Sequence, residues 1–198
     1  DRSSAASDVY KRQGYDAVTA DQLARQAGMS RASFFRHLGG KEEVVFADHA
    51  ALLARLDDFL RGTSLGVREA LEEAVLQVFR HHTADPDRAR ARSRLLRGSQ
   101  SLRTRELLTS HRYTELFSGW LATALPDTPA RGGVAVGLAA AVVAVHNRAL
   151  RAWLHAPADD AEAGLRADLA EVIARLTAEP AEAEPVSYTH LTLPTSDL

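Results

Sequence analysis

From Arg31 to Lys41 the sequence reads RASFFRHLGGK, which gathers Arg31, Ser33, Arg36, His37 and Lys41 around two adjacent phenylalanines. These polar side chains are hydrogen-bond donors, and the arginines and lysine are permanently cationic. The chemistry they offer is recognition of acceptors and anions rather than bond making. A guanidinium such as Arg31 matches the two acceptors of a guanine edge, a contact worth roughly 1–3 kcal/mol of base discrimination. Packing gives no reason for Arg31, Ser33, Arg36 and Lys41 to cluster around an exposed Phe35. Elsewhere the chain has no nucleophile elbow, phosphate-cradling glycine loop, paired-carboxylate spacing or helical zinc motif. The adjacent His81 and His82 cannot both face one metal from a regular helix. Neither catalysis nor a cofactor is expected.

The elements that must carry these donors are legible on either side. TADQ, from Thr19 to Gln22, has the spacing of a capping box, and the pattern predicts a short helix from there to about Gln26. Gly28 can take the left-handed conformation that ends it, and Ser30 caps a second helix that runs to about Leu38 and stops at Gly39-Gly40. Val18, Leu23, Ala24, Ala27, Met29, Phe34 and Leu38 supply the apolar contacts of two crossing helices. Phe34 then points inward and Phe35 outward. Helix, tight turn and helix suit double-stranded DNA, because the second helix can enter a major groove while the first braces against the backbone.

Residues 14 to 48, GYDAVTADQLARQAGMSRASFFRHLGGKEEVVFAD, resemble the DNA-binding head of TetR-family transcriptional repressors. The shared pattern is Gly-aromatic, Thr at the first helix start, Ala-Gly-apolar-Ser, an aromatic-rich recognition helix, and Lys opening the next long helix. The resemblance implies that Thr19 and Lys41 hold phosphates, Lys41 helped by the positive end of its own helix. It also implies that Arg31, Ala32, Ser33, Phe35 and His37 face the groove, with Arg36 at their margin. Plainer roles stay open: Arg31 as a solvated charge, Phe35 as core beside Phe34, His37 as a helix-end cap. Phe35 departs from the tyrosine more usual in the family and keeps only its apolar contact.

The remainder reads as an all-α body, so the fold class is an N-terminal helix-turn-helix head plus a C-terminal helical ligand-binding and dimerisation domain. Helices are predicted over about 41–61, 67–83, 86–96, 102–124, 128–155 and 159–176. Asp85-Pro86 opens the third of these as N-cap and first helical residue. Apolar positions include Val45, Leu52, Leu56, Phe59 and Leu60 in the first, Leu71, Val75, Val78 and Phe79 in the second, and Leu107, Leu108, Leu116, Trp120 and Leu121 in the fourth. The last two helices offer small residues, Gly133, Gly137, Ala140 and Ala144, and an apolar stripe of Leu165, Leu169, Val172, Ile173 and Leu176. Such surfaces serve either packing within the chain or a homodimer; the family resemblance favours the dimer, on a palindromic operator.

The resemblance further implies a pocket whose occupant controls the heads. Phe79, His111, Phe117, Trp120, His146, Asn147 and Trp153 are candidate walls, mixing aromatic faces with a few polar groups. The run Arg88, Arg90, Arg92, Arg94, Arg97, Arg103 and Arg105 cannot lie on one helical face and is in the main a solvated surface. Part of it, Arg94 among them, suits an anionic ligand, as in TetR relatives that sense acyl thioesters of coenzyme A. A hydrophobic drug-like effector fits the same walls. A regulator of this type is a ligand-released repressor; a helical interaction or small-molecule-binding module without DNA binding is the rival.

Composition sets outer bounds. The 198 residues are 45 % hydrophobic and 25 % charged with net charge −2, so contact with DNA needs a local patch. The absence of cysteine excludes disulfides and thiolate metal sites and is compatible with the cytoplasm. The most apolar run, Val134–Val145, is too short to span a membrane, so a soluble protein is expected. Both ends resemble translated sequencing-adapter DNA: SSAASDVYKRQ at Ser3–Gln13 and, from its reverse complement, VSYTHLTLPT at Val186–Thr195. The expected organisation is an adapter-derived segment at 1–13 in place of a native first helix and a head at 14–48. An effector and dimer domain follows at 49–178, then a disordered tail at 179–198, adapter-derived from about 186.

Overall fold

The computed structural model of the chain describes residues 19–26, 28, 30–33 and 41–178, and among them there are helices and turns but no strand. The motif's first helix is α1, Ala20–Gln26. Six long helices follow: α2 (Lys41–Gly62), α3 (Val67–Thr83), α4 (Pro86–Gly98), α5 (Gln100–Ala124), α6 (Arg131–His155) and α7 (Ala161–Thr177). The all-α expectation is met, with the body boundaries close to those read from the sequence.

Local chemistry explains where these helices start. The capping box forms as expected: the Gln22 amide donates to Thr19 Oγ1 at 3.3 Å, and the Thr19 amide donates to Gln22 Oε1 at 2.7 Å. Gly28 has φ of 65° and its amide closes on Arg25 O at 3.1 Å, the left-handed stop that glycine permits. Ser30 Oγ accepts from the Ser33 amide at 3.1 Å, opening a helical turn at Arg31–Ser33. Asp85 Oδ1 accepts from the Arg88 amide at 2.9 Å with Pro86 at the first helical position. α4 runs on to Gly98, two residues past its expected end, and Ser99 caps α5, which begins two residues earlier than expected.

α3 lies at the centre and touches α2, α4, α5, α6 and α7; α6 is flanked by α5 and α7. The core contains Leu56, Leu71, Val75, Phe79, Phe117, Leu121, Leu138 and Val142. Ala24 is buried in the motif, as expected, while Val18, Ala27, Met29, Phe34 and Leu38 lie outside the described residues. In α5 the inward row is Leu102, Thr109, Tyr113, Phe117 and Leu121. That spacing leaves Leu107 and Leu108, two of the apolar positions named from the sequence, outside, 72 % and 52 % exposed.

α6 also departs from expectation. The whole 25-residue helix, not only Val134–Val145, is long and apolar enough by length and composition to cross a membrane. Here one side of it is packed into the core through Ala135, Leu138, Ala139, Val142 and His146. The opposite side, with Gly133, Val136, Gly137, Ala140 and Ala144, is exposed. Ample room surrounds Gly133 and Gly137 in the protomer, with nothing within 4 Å of where a Cβ would sit.

Candidate functional site

In the described part of the motif Thr19, Arg31 and Ala32 are exposed, while Ser33 is half-buried. Arg31 Nη1 donates to Asp21 Oδ2 at 3.2 Å, tying the start of the second helix to the first turn of α1. The sequence reading did not single out Asp21; an acid in the first turn of one helix facing an arginine at the start of the next was the available signal. The Thr19 hydroxyl is engaged inside its own capping box, where it also donates to Gln22 Oε1 at 3.2 Å. Phe35, Arg36 and His37 lie outside the described residues, as does the side chain of Lys41, whose backbone begins α2.

A second site opens in the body, a cavity of about 560 Å³ among α2, α3, α4, α5 and α6. Its apolar walls include Val75, Val78, Phe117, Val143, Leu150 and Leu154. Of the candidate residues, Phe117, His146 and Asn147 line it. Phe79 sits behind the wall, edge-on to His146 with ring centroids 6.2 Å apart. His111 faces solvent beside Glu115, because it lies off the inward row of α5. Arg94 is exposed, Trp120 is half-buried at the margin of the core, and Trp153 is buried in the core without reaching the cavity.

Polar groups other than the candidate walls complete the lining. Arg92, Arg97, Arg103 and Arg151 reach it, which separates the arginine run by face as helical geometry requires. Arg97 donates to Ser93 Oγ at 2.8 Å, and Arg103 caps α4 by donating to Arg97 O at 2.8 Å. Arg92 has no carboxylate at ion-pair distance among the described residues; its guanidinium rests 4.6 Å above the Phe46 ring. Burial pulls its pKa down, with Asp48 and Glu106 acting in the opposite sense.

Three imidazoles line up across the cavity, His49 to His82 at 5.2 Å and His82 to His146 at 5.9 Å between ring centroids. Burial, then the nearby Arg92 charge, pushes the His49 pKa down to about 3, and burial pushes that of His146 down to about 4. His82 is lowered for the same reason. All three are neutral near neutral pH. His49 Nδ1 meets the Tyr113 hydroxyl at 2.8 Å and His146 Nδ1 meets Asn147 Oδ1 at 3.1 Å, whereas both Nε2 atoms are buried without a partner among the described residues. No group of three or more His, Asp or Glu among the described residues is arranged to hold a metal ion.

α2 joins the two sites. Lys41 follows the recognition segment directly, and Phe46, Asp48 and His49 lie between about one and a half and just over two helical turns farther on. Asp48 Oδ2 accepts from His81 Nε2 of α3 at 2.9 Å and from Arg88 Nη2 of α4 at 3.2 Å. Burial alone would raise the pKa of this carboxyl, but the His81 bond and the charges of Arg92 and Arg88 hold it well below the usual carboxylate range.

The outer surface separates the proposed interface residues. Gly133, Gly137, Ala140 and Ala144 share the exposed side of α6. Leu165, Leu169 and Ile173 do not join them: all three are buried inside the protomer, packed in its own core. The α7 stripe points inward because α3 and α6 both pack on it. Val172 is half-buried and Leu176 exposed.

Comparison with known proteins adds three findings. Residues 4–47 match the family of bacterial regulatory proteins, tetR family, and the match takes in residues 4–13, which the sequence reading set aside. MftR of Mycobacterium tuberculosis, a protein named for transcriptional regulation of mycofactocin biosynthesis, is 28 % identical over 120 residues, 60 % of this chain and 57 % of that protein. The matched part is thus little more than half that relative's length. FadR of Thermus thermophilus, a TetR-family repressor solved with lauroyl-CoA, superposes with TM-score 0.59 at 19 % identity over 92 % of this chain and 97 % of its own. NalD of Pseudomonas aeruginosa, secondary repressor of a multidrug efflux pump, gives 0.58 at 16 % identity over 88 % and 93 %. At these identities the structural likenesses speak for the fold.

Proposed function

We propose, from the match of its head to the tetR family, that the chain is a TetR-family regulator: a sequence-specific DNA-binding repressor released by a small molecule, acting as a homodimer on a palindromic operator. The carrying observation is the continuity of α2, which starts immediately after the recognition segment, lines the effector cavity through His49 and supports the lining Arg92 with the Phe46 ring. Occupation of the cavity and docking of the head then bias one rigid element, and the coupling is reciprocal. Arg31 reads a base edge, Thr19 and Lys41 take phosphates, and Ala32, Ser33, Phe35, Arg36 and His37 complete the groove-facing surface. TetR-family regulators act in general by binding, and no catalytic step is assigned. The setting is the cytoplasm.

The dimer forms on the exposed side of α6, with Gly133, Gly137, Ala140 and Ala144 at the closest approach and Leu176 at the edge. For the effector, apolar walls beside Arg92, Arg97, Arg103 and Arg151 favour an amphipathic anion of the acyl-CoA kind over a neutral drug-like molecule. Selection from a random duplex library tests the DNA reading. It is run on the full chain and on a version in which a TetR-type first helix replaces residues 3–13, each beside Arg31→Ala. A palindrome recovered and then lost in Arg31→Ala supports the proposal. Recovery of only salt-sensitive background with both versions would favour the rival helical module.

A further inference from the structure

Taking the cavity as the effector site, we propose that its occupant is an amphiphile that enters carboxylate first, and that this carboxylate pairs with the Arg92 guanidinium at the inner end of the cavity. The free acid of an apolar chain and an acyl-CoA thioester with a carboxylate at its far end share this chemistry. A methyl-ended acyl thioester lacks it.

The arginines that reach the cavity stand at two depths. Arg97, Arg103 and Arg151 are exposed, and the first two already serve Ser93 and the end of α4. Arg92 is half-buried, about 7–8 Å before Arg97 along α4. Its guanidinium lies 4.6 Å over the Phe46 ring, itself buried on α2. After burial, the Arg92 charge is the largest influence on the protonation of His49, His82 and Tyr113, which puts it among side chains of α2, α3 and α5 and not at the rim.

No described residue takes this cation. The carboxylates whose charge it feels are Asp48 and Glu106, and neither is at ion-pair distance: Asp48 bonds His81 and Arg88, and Glu106 is exposed. Arg92 makes no hydrogen bond with the described residues, and none of its nitrogens is among their closed-off, partnerless atoms, so its donors keep open surface in the cavity it lines. Stacking on Phe46 occupies one face of the planar guanidinium and leaves its N–H edge, which matches a carboxylate through two parallel bonds. One guanidinium beside neutral imidazoles balances one negative charge, which a carboxylate carries and a phosphate dianion exceeds. A methyl-ended chain pushed in from the rim would strip water from the same cation and give nothing in return.

The test is calorimetric titration of the full chain with two pairs of probes: dodecanol against dodecanoate, and dodecanoyl-CoA against the mono-CoA thioester of dodecanedioate. In at least one pair the member with the free carboxylate is expected to bind roughly tenfold or more tightly, the worth of a charge-assisted hydrogen bond, and the pair that shows it identifies the source. Arg92→Met, which keeps the stem over Phe46, should erase that advantage without lowering the melting temperature, because it removes a cation that burial disfavours. Arg94→Met, the same loss of charge at an exposed position outside the cavity, should keep it. A reading that needs no variant is the guanidinium nitrogen resonance of Arg92, which should shift with the favoured probe and stay still with dodecanol. No advantage in either pair, an advantage that survives Arg92→Met, or an unmoved resonance would overturn the inference while leaving the effector site intact. If none of the four probes binds, the effector-site reading falls and the inference with it.

Discussion

In the free protein Arg31 is held against Asp21, so reading a base requires exchanging that carboxylate for DNA. Both side chains are well exposed, and such a pair is worth no more than about 1 kcal/mol. Asp21→Asn is therefore expected to tighten operator binding by up to about fivefold, and Arg31→Ala to relax discrimination at one base position by roughly 1–3 kcal/mol. Fluorescence anisotropy on the selected operator and its single-base variants checks both; weaker binding by Asp21→Asn would mean that the carboxylate aims Arg31. The cavity histidines make a separate prediction at this scale. His49 and His146 are held neutral by burial, down to about 3 and about 4. Each takes up a proton on unfolding once the pH falls below its ordinary 6.5, and stability falls with it. The loss at pH 5 is about 2 kcal/mol for each. Urea melts near pH 7 and pH 5 should show it, with about two thirds remaining in His146→Phe, because His82, lowered by the same burial, contributes beside His49.

At the scale of elements, Asp48 fastens α2 to α3 and α4 through a single carboxylate oxygen. Asp48→Asn should cost about 1–3 kcal/mol by stranding His81 and Arg88, measured by thermal or urea unfolding. Because this carboxyl's pKa is lowered, its contribution is present above the ordinary carboxylate pKa and is lost only as pH falls through the still lower folded value. The fall between about pH 6.5 and pH 5 thus belongs to the histidines, and Asp48→Asn should shift the whole curve without changing its slope there. Much of this scale was legible in the sequence, because caps are local: Thr19, Ser30 and Asp85 bond amides three residues away. The faces were less legible. Leu107 and Leu108 look like core by type, yet α5 turns Thr109 and Tyr113 inward. The cavity was least legible, since Arg92, His49 and His82 come from three helices and no spacing along the chain links them.

At the scale of the whole molecule, the exposed side of α6 is the proposed meeting place of two copies. Ala140→Arg should leave the fold of the protomer unchanged, because this position is exposed. It should also shift the chain to monomer in size-exclusion or ultracentrifugation, and weaken operator binding at least tenfold as the second half-site is lost. A variant that stayed dimeric would move the interface elsewhere. Gly133 and Gly137 sit within α6 with open space around them in the protomer. A glycine in a helix interior costs about 1 kcal/mol relative to alanine, and nothing inside one copy requires that cost. If a second copy is what fills the open space, monomer stability and assembly pull in opposite directions at these two positions. A heat-tolerance screen would then enrich Gly133→Ala and Gly137→Ala and, round by round, breed a tougher protein that no longer represses.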